Sequence, residues 1–272
     1  MGSDEQMIAG TWSAYWKDKQ EDIAPWDVLS HTILATLRRE TGGFAGKSIM
    51  EAGCGTGRIS AQVCREGASV ACLDIAREAL DLARRQFPRG SPCRFVLGSI
   101  LSLPRDRRYD ALWNAGVLEH FSPADQRKAI GESLDLLRPG GKLVLFTPYA
   151  GSILYRAAKF LLERTGRWPY GRETPVSTLG DVIPGRGVLK REYTVSFLSL
   201  LLDGHKWFRP VRPCCRLLSG VLLSLLGESG FVRLDRISSR LFGGYLLVSV
   251  VEHRTAVRRA PRSVRPETAA VD

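Results

Sequence analysis

The sequence has no uninterrupted apolar run of the roughly 18 residues that a membrane span requires. Its two longest apolar stretches, near residues 195–202 and 217–226, are broken by Ser or Gly. The first six residues lack the basic segment, followed by an apolar one, that marks a secretion signal. We therefore expect a cytoplasmic protein without an integral membrane segment.

Metal-binding side chains are also scarce. There are 4 His and 6 Cys, and no two cysteines have CxxC spacing. The adjacent residues Cys214 and Cys215 are poorly placed to hold one tetrahedral metal ion. The sequence therefore predicts no metal site, and it predicts reduced thiols that behave as small apolar side chains.

Positive charge, by contrast, is abundant. The chain of 272 residues has 39 Lys and Arg against 28 Asp and Glu, a net charge of +11, and its 44% hydrophobic content excludes a disordered or fibrous protein. Two segments carry most of the excess, 151–212 with +6 and 254–272 with +3. The second segment is rich in Arg, Pro and Ala, so we predict a basic, disordered tail. Charge alone does not indicate a nucleic-acid partner.

From residue 47 onward, short apolar strands alternate with helical periods. The predicted strands are 47–52, 69–74, 93–97, 109–114 and 142–147. This alternation favours right-handed crossovers and a parallel sheet. After residue 149 the pattern stops, and strand-like runs return only at 231–237 and 245–251. The predicted fold is α/β, a doubly wound, seven-stranded, mostly parallel sheet with a helical lid insert before the last two strands.

A glycine-rich turn follows the first predicted strand. Gly53, Gly55 and Gly57 stand between that strand and a helix, so main-chain N–H groups can approach a ligand closely. Asp74 ends the next strand, where an acid can accept hydrogen bonds from both hydroxyls of a ribose. Glu51 precedes the turn and would repel a pyrophosphate, so it suits a nucleoside that carries a positive group. The sequence therefore predicts a nucleoside site here.

Five motifs together resemble class I, Rossmann-like S-adenosylmethionine (SAM)-dependent methyltransferases of the small-molecule branch. They are 51–57, 72–74, 109–110, 117–121 and 137–141. The resemblance implies that Glu51 holds the methionine ammonium, that Asp74 binds the ribose and that Ile75 packs on the adenine. It places Gly53, Gly55 and Gly57 along the methionine and ribose, and Ser99 and Ile100 beside the adenine. Ser99 departs from the acid that is usual in the family, and so lacks its charge assistance.

The sequence pattern and the resemblance together predict a division of the chain into segments. These are an N-terminal helical cap at 1–45, a cofactor-binding core at 46–148, a lid for substrate recognition at 149–229, the final strands of the sheet at 230–253, and the basic tail at 254–272. In related proteins an aromatic segment near the N-terminus folds over the cofactor as a flap. Trp12, Tyr15 and Trp16 stand at that place, and Tyr15 is the first candidate for cofactor contact.

The end of the fourth predicted strand supplies the candidates for chemistry. The resemblance implies that Asn114 lies at the methionine end of the cofactor. His120 is the candidate general base, because its unperturbed pKa lies near neutrality, although it could instead only orient the loop. Glu119 is a candidate carboxylate for the substrate.

The lid is expected to select the substrate. Trp168 and Tyr170 could stack on a planar ring or a sugar, and Arg172 could meet an anionic group, although the aromatic residues could instead anchor the lid. Apolar stretches at 153–162 and 215–226 leave open a lipid-like acceptor and peripheral membrane contact. A contribution of the lid to subunit contacts also stays open.

Three functions therefore remain. The first is methyl transfer to an O, N or C nucleophile of a small molecule, such as a natural product, sugar or lipid. The second is RNA methylation, suggested by the net charge but lacking an appended RNA-binding domain. The third is SAM binding without methyl transfer, in regulation or in another reaction. The sequence favours the first.

Overall fold

The computed structural model describes residues 3–18, 26–202 and 212–254. Its helices are α1 (Ser3–Asp18), α2 (Val28–Thr41), α3 (Arg58–Arg65), α4 (Arg77–Gln86), α5 (Pro123–Asp135), α6 (Ile153–Arg164), α7 (Phe197–Leu202) and α8 (Arg212–Phe242). Its strands are β1 (Ser48–Ala52), β2 (Ser69–Asp74), β3 (Cys93–Leu97), β4 (Tyr109–Ala115), β5 (Leu137–Pro148), β6 (Gly187–Val195) and β7 (Leu246–His253). Short 3-10 turns occupy Leu118–His120 and Gly180–Val182.

The seven strands form one sheet in the order β3-β2-β1-β4-β5-β7-β6. Neighbours are parallel from β3 to β5, whereas β7 runs antiparallel to both β5 and β6. The central strands are buried on both faces, as a parallel sheet covered by helices requires. The predicted fold class is confirmed. In this order β1 and β2 are neighbours, so the ends that carry Glu51 and Asp74 lie side by side.

Two predictions about the second half of the chain are wrong. Residues 231–237 lie within α8 and are not a strand, because Phe231, Asp235 and Ser239 bury one face at helical spacing. The missing strand is β6, inside the segment predicted as lid at 149–229. It is an edge strand whose middle carries three consecutive charged residues, Lys190, Arg191 and Glu192, and this charged run concealed it. The final segment at 230–253 therefore contributes only β7, and β6 splits the insert into two helical parts.

Asp235 ties those two parts together. Its carboxylate accepts hydrogen bonds from the backbone N–H groups of Ser196 and Leu198, each at 2.8 Å, where α7 begins. Ser196 has a left-handed backbone, with φ of 72°. A buried acid on α8 thus caps α7 and holds the link between β6 and the helices that follow.

One helix among the described residues, Pro213–Phe242, is long and apolar enough to cross a membrane by length and composition alone. Its backbone departs from helical geometry at Gly227, and Leu217 and Leu225 point outward from its first half. A single helix of this kind is weak evidence for a span, because core helices of other proteins pass the same test. The absence of an integral membrane segment stays a prediction. The predicted tail, 254–272, lies outside the described residues beyond Arg254.

Candidate active site

The glycine turn crosses the end of β2 and is fixed by its own backbone. The N–H groups of Gly53 and Cys54 both donate to the carbonyl of Leu73, at 2.7 and 2.9 Å. Gly53 has φ of +83°, and a Cβ atom built there would lie 2.6 Å from Cγ2 of Val117. Gly55 has φ of +50°, and its Cβ would lie 2.8 Å from the ring of Trp16. Both positions therefore need glycine for conformation and for space.

Asp74 closes the turn from the neighbouring strand. One carboxylate oxygen accepts from the N–H of Gly55 at 2.8 Å, and the other accepts from the N–H of Ala76 at 2.9 Å. Burial raises the pKa of Asp74, while these backbone donors act to lower it. Each oxygen has a second lone pair that can accept from a ligand hydroxyl on the cavity side.

Glu51 lies at the end of β1 with 6% of its surface exposed. Its Oε2 atom has no hydrogen-bond partner among the residues that the structure describes. Burial raises the pKa of Glu51 well above its ordinary value, and the nearby Cys72 and Asp74 act in the same direction. A buried carboxylate oxygen without a partner fits a ligand that brings a cation with N–H donors. Glu51, Gly53, Gly55 and Asp74 are called the glycine wall below.

Helix α1 covers the glycine wall. Ser13 donates to Oε2 of Glu78 on α4 at 2.7 Å, which fixes α1 over the sheet edge. Trp16 lies against Gly55, and the ring of Tyr15 meets Trp16 edge-on at 4.9 Å. Tyr15 also lies 5.8 Å from Tyr170 of the lid, measured between ring centroids, so α1 and the lid meet above the cavity.

Three ionisable side chains gather where the lid meets the loop after β4. One side-chain atom from each of Glu119, His120 and Glu173, of a type that can bind a metal ion, lies within 4.8 Å of the other two. These three residues are called the lid-side cluster below. Nδ1 of His120 lies 2.9 Å from the carbonyl oxygen of Arg172, and the N–H of Thr174 donates to the carbonyl of Glu119 at 2.9 Å. The lid is thereby bound to the loop after β4.

Burial governs the ionisation of the lid-side cluster. It raises the pKa of Glu119 well above its ordinary value, with a further increase from Glu173 nearby. It raises the pKa of Glu173 to about 7. Burial also lowers the pKa of His120, which favours the neutral imidazole at neutral pH. Oε2 of Glu119 and Oε1 of Glu173 have no hydrogen-bond partner within the described ranges.

The glycine wall and the lid-side cluster line one cavity of about 360 Å³. The cavity brings together most of the predicted site residues, namely Tyr15, Glu51, Gly53, Gly55, Asp74, Ile75, Ser99, Ile100, Glu119, His120 and Tyr170. Four others do not line it. Gly57 precedes α3 and would place a Cβ 2.9 Å from that of Ala83, and Asn114 is buried in β4.

The remaining two are lid residues. Trp168 packs its ring against Tyr170 and Tyr155, at 5.2 and 6.3 Å between centroids. Arg172 has an exposed side chain and contributes its main-chain carbonyl to His120. The predicted anionic contact of Arg172 therefore has no support from its position, while Trp168 is placed to anchor the lid.

Two residues that line the cavity, Glu173 and Tyr245, were not among the predicted site residues. Glu173 could have been identified as a candidate from the sequence, because it is an acid at the end of a basic stretch that begins at Arg167. Tyr245 immediately precedes β7, and nothing in the sequence pattern relates it to the loop after β4. The prediction of no metal site also did not anticipate the lid-side cluster, whose two carboxylates and imidazole are side chains of the types that bind metal ions.

The seven-stranded order with the reversed strand β7 is that of the α/β methyltransferase fold. Comparison with known proteins agrees with this assignment. Residues 49–141 match the family described as "Methyltransferase domain".

Curated relatives include the ubiquinone biosynthesis O-methyltransferases of Photorhabdus laumondii, 29% identical over 48% of this chain and 55% of that protein, and of Proteus mirabilis, 27% identical over 48% of this chain and 54% of that protein. The chain thus spans about half the length of the curated relatives that it matches.

Two solved structures share the fold. One is the N-methyltransferase NodS from Bradyrhizobium japonicum WM9 in complex with S-adenosylhomocysteine (SAH), with a TM-score of 0.53 and 17% identity, covering 68% of this chain and 91% of that chain. The other is the magnesium protoporphyrin IX methyltransferase from Synechocystis PCC 6803 with bound SAH, with a TM-score of 0.53 and 20% identity, covering 70% of this chain and 92% of that chain.

Proposed function

We propose that the protein transfers a methyl group from SAM to a small molecule. The observation that carries this proposal is the side-by-side placement of Glu51 and Asp74 on neighbouring strands, with the glycine turn fixed between them. This arrangement offers a carboxylate for an ammonium group and a second carboxylate for a ribose, on one wall of one cavity. The matched methyltransferase domain and the SAH-bound structural relatives support it.

Different residues of the cavity would bind different parts of SAM. Glu51 would bind the methionine ammonium, and Asp74 the ribose hydroxyls. Ile75 and Ile100 would pack against the adenine, beside Ser99, whose hydroxyl already accepts from the N–H of Leu101 at 3.1 Å. Tyr15 and Trp16 would exclude water from above, which strengthens charge interactions inside the cavity. SAM supplies the chemistry, a methyl group made electrophilic by the sulfonium.

A small acceptor fits the enclosure better than a polynucleotide does. The space that remains beside the glycine wall is covered by α1 and by the lid, whose aromatic residues meet above it. The names of the relatives include both O- and N-methyltransferases, so they leave the acceptor atom open.

All six cysteines are free thiols, which supports a reducing, cytoplasmic location.

Calorimetric titration with SAM and SAH tests the proposal. We expect micromolar binding to the wild type and loss of binding in Asp74→Ala. Because Asp74 also holds the turn, Glu51→Gln serves as a second variant that leaves those hydrogen bonds in place. Asp81→Asn, an exposed carboxylate on α4, is the matched control and should bind as the wild type does. Failure of both ligands to bind the folded wild type would refute the proposal.

A further inference from the structure

The buried Glu119 and the half-buried Glu173 bring two carboxylates together in the cavity. Glu119 is 3% exposed, and neither its Oε2 atom nor Oε1 of Glu173 has a partner within the described residues. Resting on the function proposed above, we propose that the methyl acceptor is an amine, held as its ammonium by Glu119 and Glu173 and deprotonated by His120. The acceptor would thus be N-methylated.

The basic side chains nearby do not neutralise these carboxylates. Lys159, whose charge acts on His120, pairs with Glu163 and lies 4.9 Å from the centroid of the Trp168 ring. Arg172 presents its carbonyl to the cluster rather than its guanidinium. Keeping both carboxylates ionised in this site is unfavourable unless a cation with hydrogen-bond donors joins them. An ammonium carries two or three N–H donors and can reach both oxygens.

The walls around the cluster favour an organic cation over a metal ion. Trp12 meets the ring of His120 edge-on at 5.2 Å, and Phe121, Tyr170 and Tyr245 complete an aromatic enclosure. Aromatic faces attract alkylammonium groups through cation–π interactions and cover their carbon atoms. A hard divalent cation instead needs six or more oxygen ligands or bound waters, which these rings do not supply.

The tautomer of His120 leaves one ring nitrogen able to accept a proton. Its Nδ1 atom lies 2.9 Å from the carbonyl of Arg172 and must donate to it, because a carbonyl only accepts. Nε2 of the neutral ring therefore keeps its lone pair. The ammonium loses one proton to Nε2, and the freed nitrogen pair forms the bond to the methyl carbon. The electron pair of the broken sulfur–carbon bond stays on the sulfur of SAH, so atoms and charges balance.

The test compares an amine with its neutral analogue on the SAH-saturated protein. We expect benzylamine to bind at least about tenfold more tightly than benzyl alcohol, in line with one charge-assisted hydrogen bond. Glu119→Gln and Glu173→Gln should each remove this preference and leave SAH binding within about twofold of wild type. Asp81→Asn should keep the preference. His120→Asn should keep benzylamine binding while methyl transfer to benzylamine, followed by mass spectrometry, is lost.

Three results would overturn the proposal. The first is equal binding of benzylamine and benzyl alcohol. The second is an amine preference that survives both glutamate variants. The third is binding of Mn²⁺ by the wild type, lost in Glu119→Gln, without any preference for the amine, which would identify a metal site instead. Because SAH binding is measured in the same samples, a failure here is distinguishable from a failure of the proposed methyltransferase function.

Discussion

The glycine wall and the lid-side cluster differ in how far apart in the chain their members lie. The glycine wall comes from two consecutive strands and the turn between them, 24 residues from Glu51 to Asp74, counted inclusively. The lid-side cluster joins the loop after β4 to a lid residue more than 50 positions later, and Tyr245 of the enclosure comes later still. The glycine wall is therefore set by local chain geometry, whereas the lid-side cluster depends on how the insert packs.

We expect the largest loss of SAH affinity from a substitution in the glycine wall at Gly53. Gly53→Ala should lower SAH affinity by more than about 100-fold, because the new Cβ would lie 2.6 Å from the stiff side chain of Val117 and displace the turn. Gly90→Ala is the matched control, since Gly90 also has positive φ, +76°, but open space around its Cβ. Calorimetry measures both. Equal losses in the two variants would show that backbone conformation, not the contact, matters.

The second effect concerns the buried charge of the same wall. Glu51→Gln should lower SAH affinity by about 10- to 100-fold, as expected when a charge-assisted hydrogen bond is lost. Because burial raises the pKa of Glu51 in the folded protein, the wild type loses stability as pH rises above the ordinary glutamate value. The variant should therefore melt a few degrees higher than wild type at about pH 8, with a smaller difference at about pH 5. Unchanged SAH affinity in Glu51→Gln would show that Glu51 does not bind the ligand.

A pair of tryptophans on α1 sharpens the comparison. Trp16 lies against Gly55, whereas Trp12 lies against His120. We expect Trp16→Ala to weaken SAH binding about tenfold, and Trp12→Ala to weaken benzylamine binding by a similar factor with little change for SAH. Both affinities are measured on each variant by calorimetry. Parallel losses of both ligands in both variants would mean that α1 acts as one cover rather than as two separate contacts.

The smallest effect is a difference in pH response. Burial raises the pKa of Glu173 to about 7, so this side chain is neutral below that value and ionised above it. Glu119, His120, Tyr170 and Tyr245 share its surroundings in the cavity. Benzylamine affinity should rise several-fold between about pH 6 and about pH 8, while SAH affinity changes little. In Glu173→Gln the rise should disappear, and a rise that persists would assign the titration to another member of the cluster.

The same contrast explains what the sequence alone could predict. Glycine spacing and the acid at the end of the next strand follow from rules that act over a few residues, so the residues of the glycine wall could be predicted from the sequence. β6 was not, because its exposed edge carries charges that resemble a loop. The helical residues 231–237 were mistaken for a strand, since their apolar positions are dense enough to satisfy either period. Glu173 and Tyr245 reach the cavity only through the folding of the insert.

The position of β7 has a consequence for the order in which the protein can form during synthesis. β6 pairs with β7 and with no other strand that the structure describes, and β7 ends at His253. While the ribosome is still adding residues, β6 must therefore wait unpaired for the last strand of the sheet. Strands β1 to β5 are complete by Pro148 and need no later segment to pair with one another. The nascent chain can thus assemble the glycine wall first, and the acceptor side closes only after translation has passed β7.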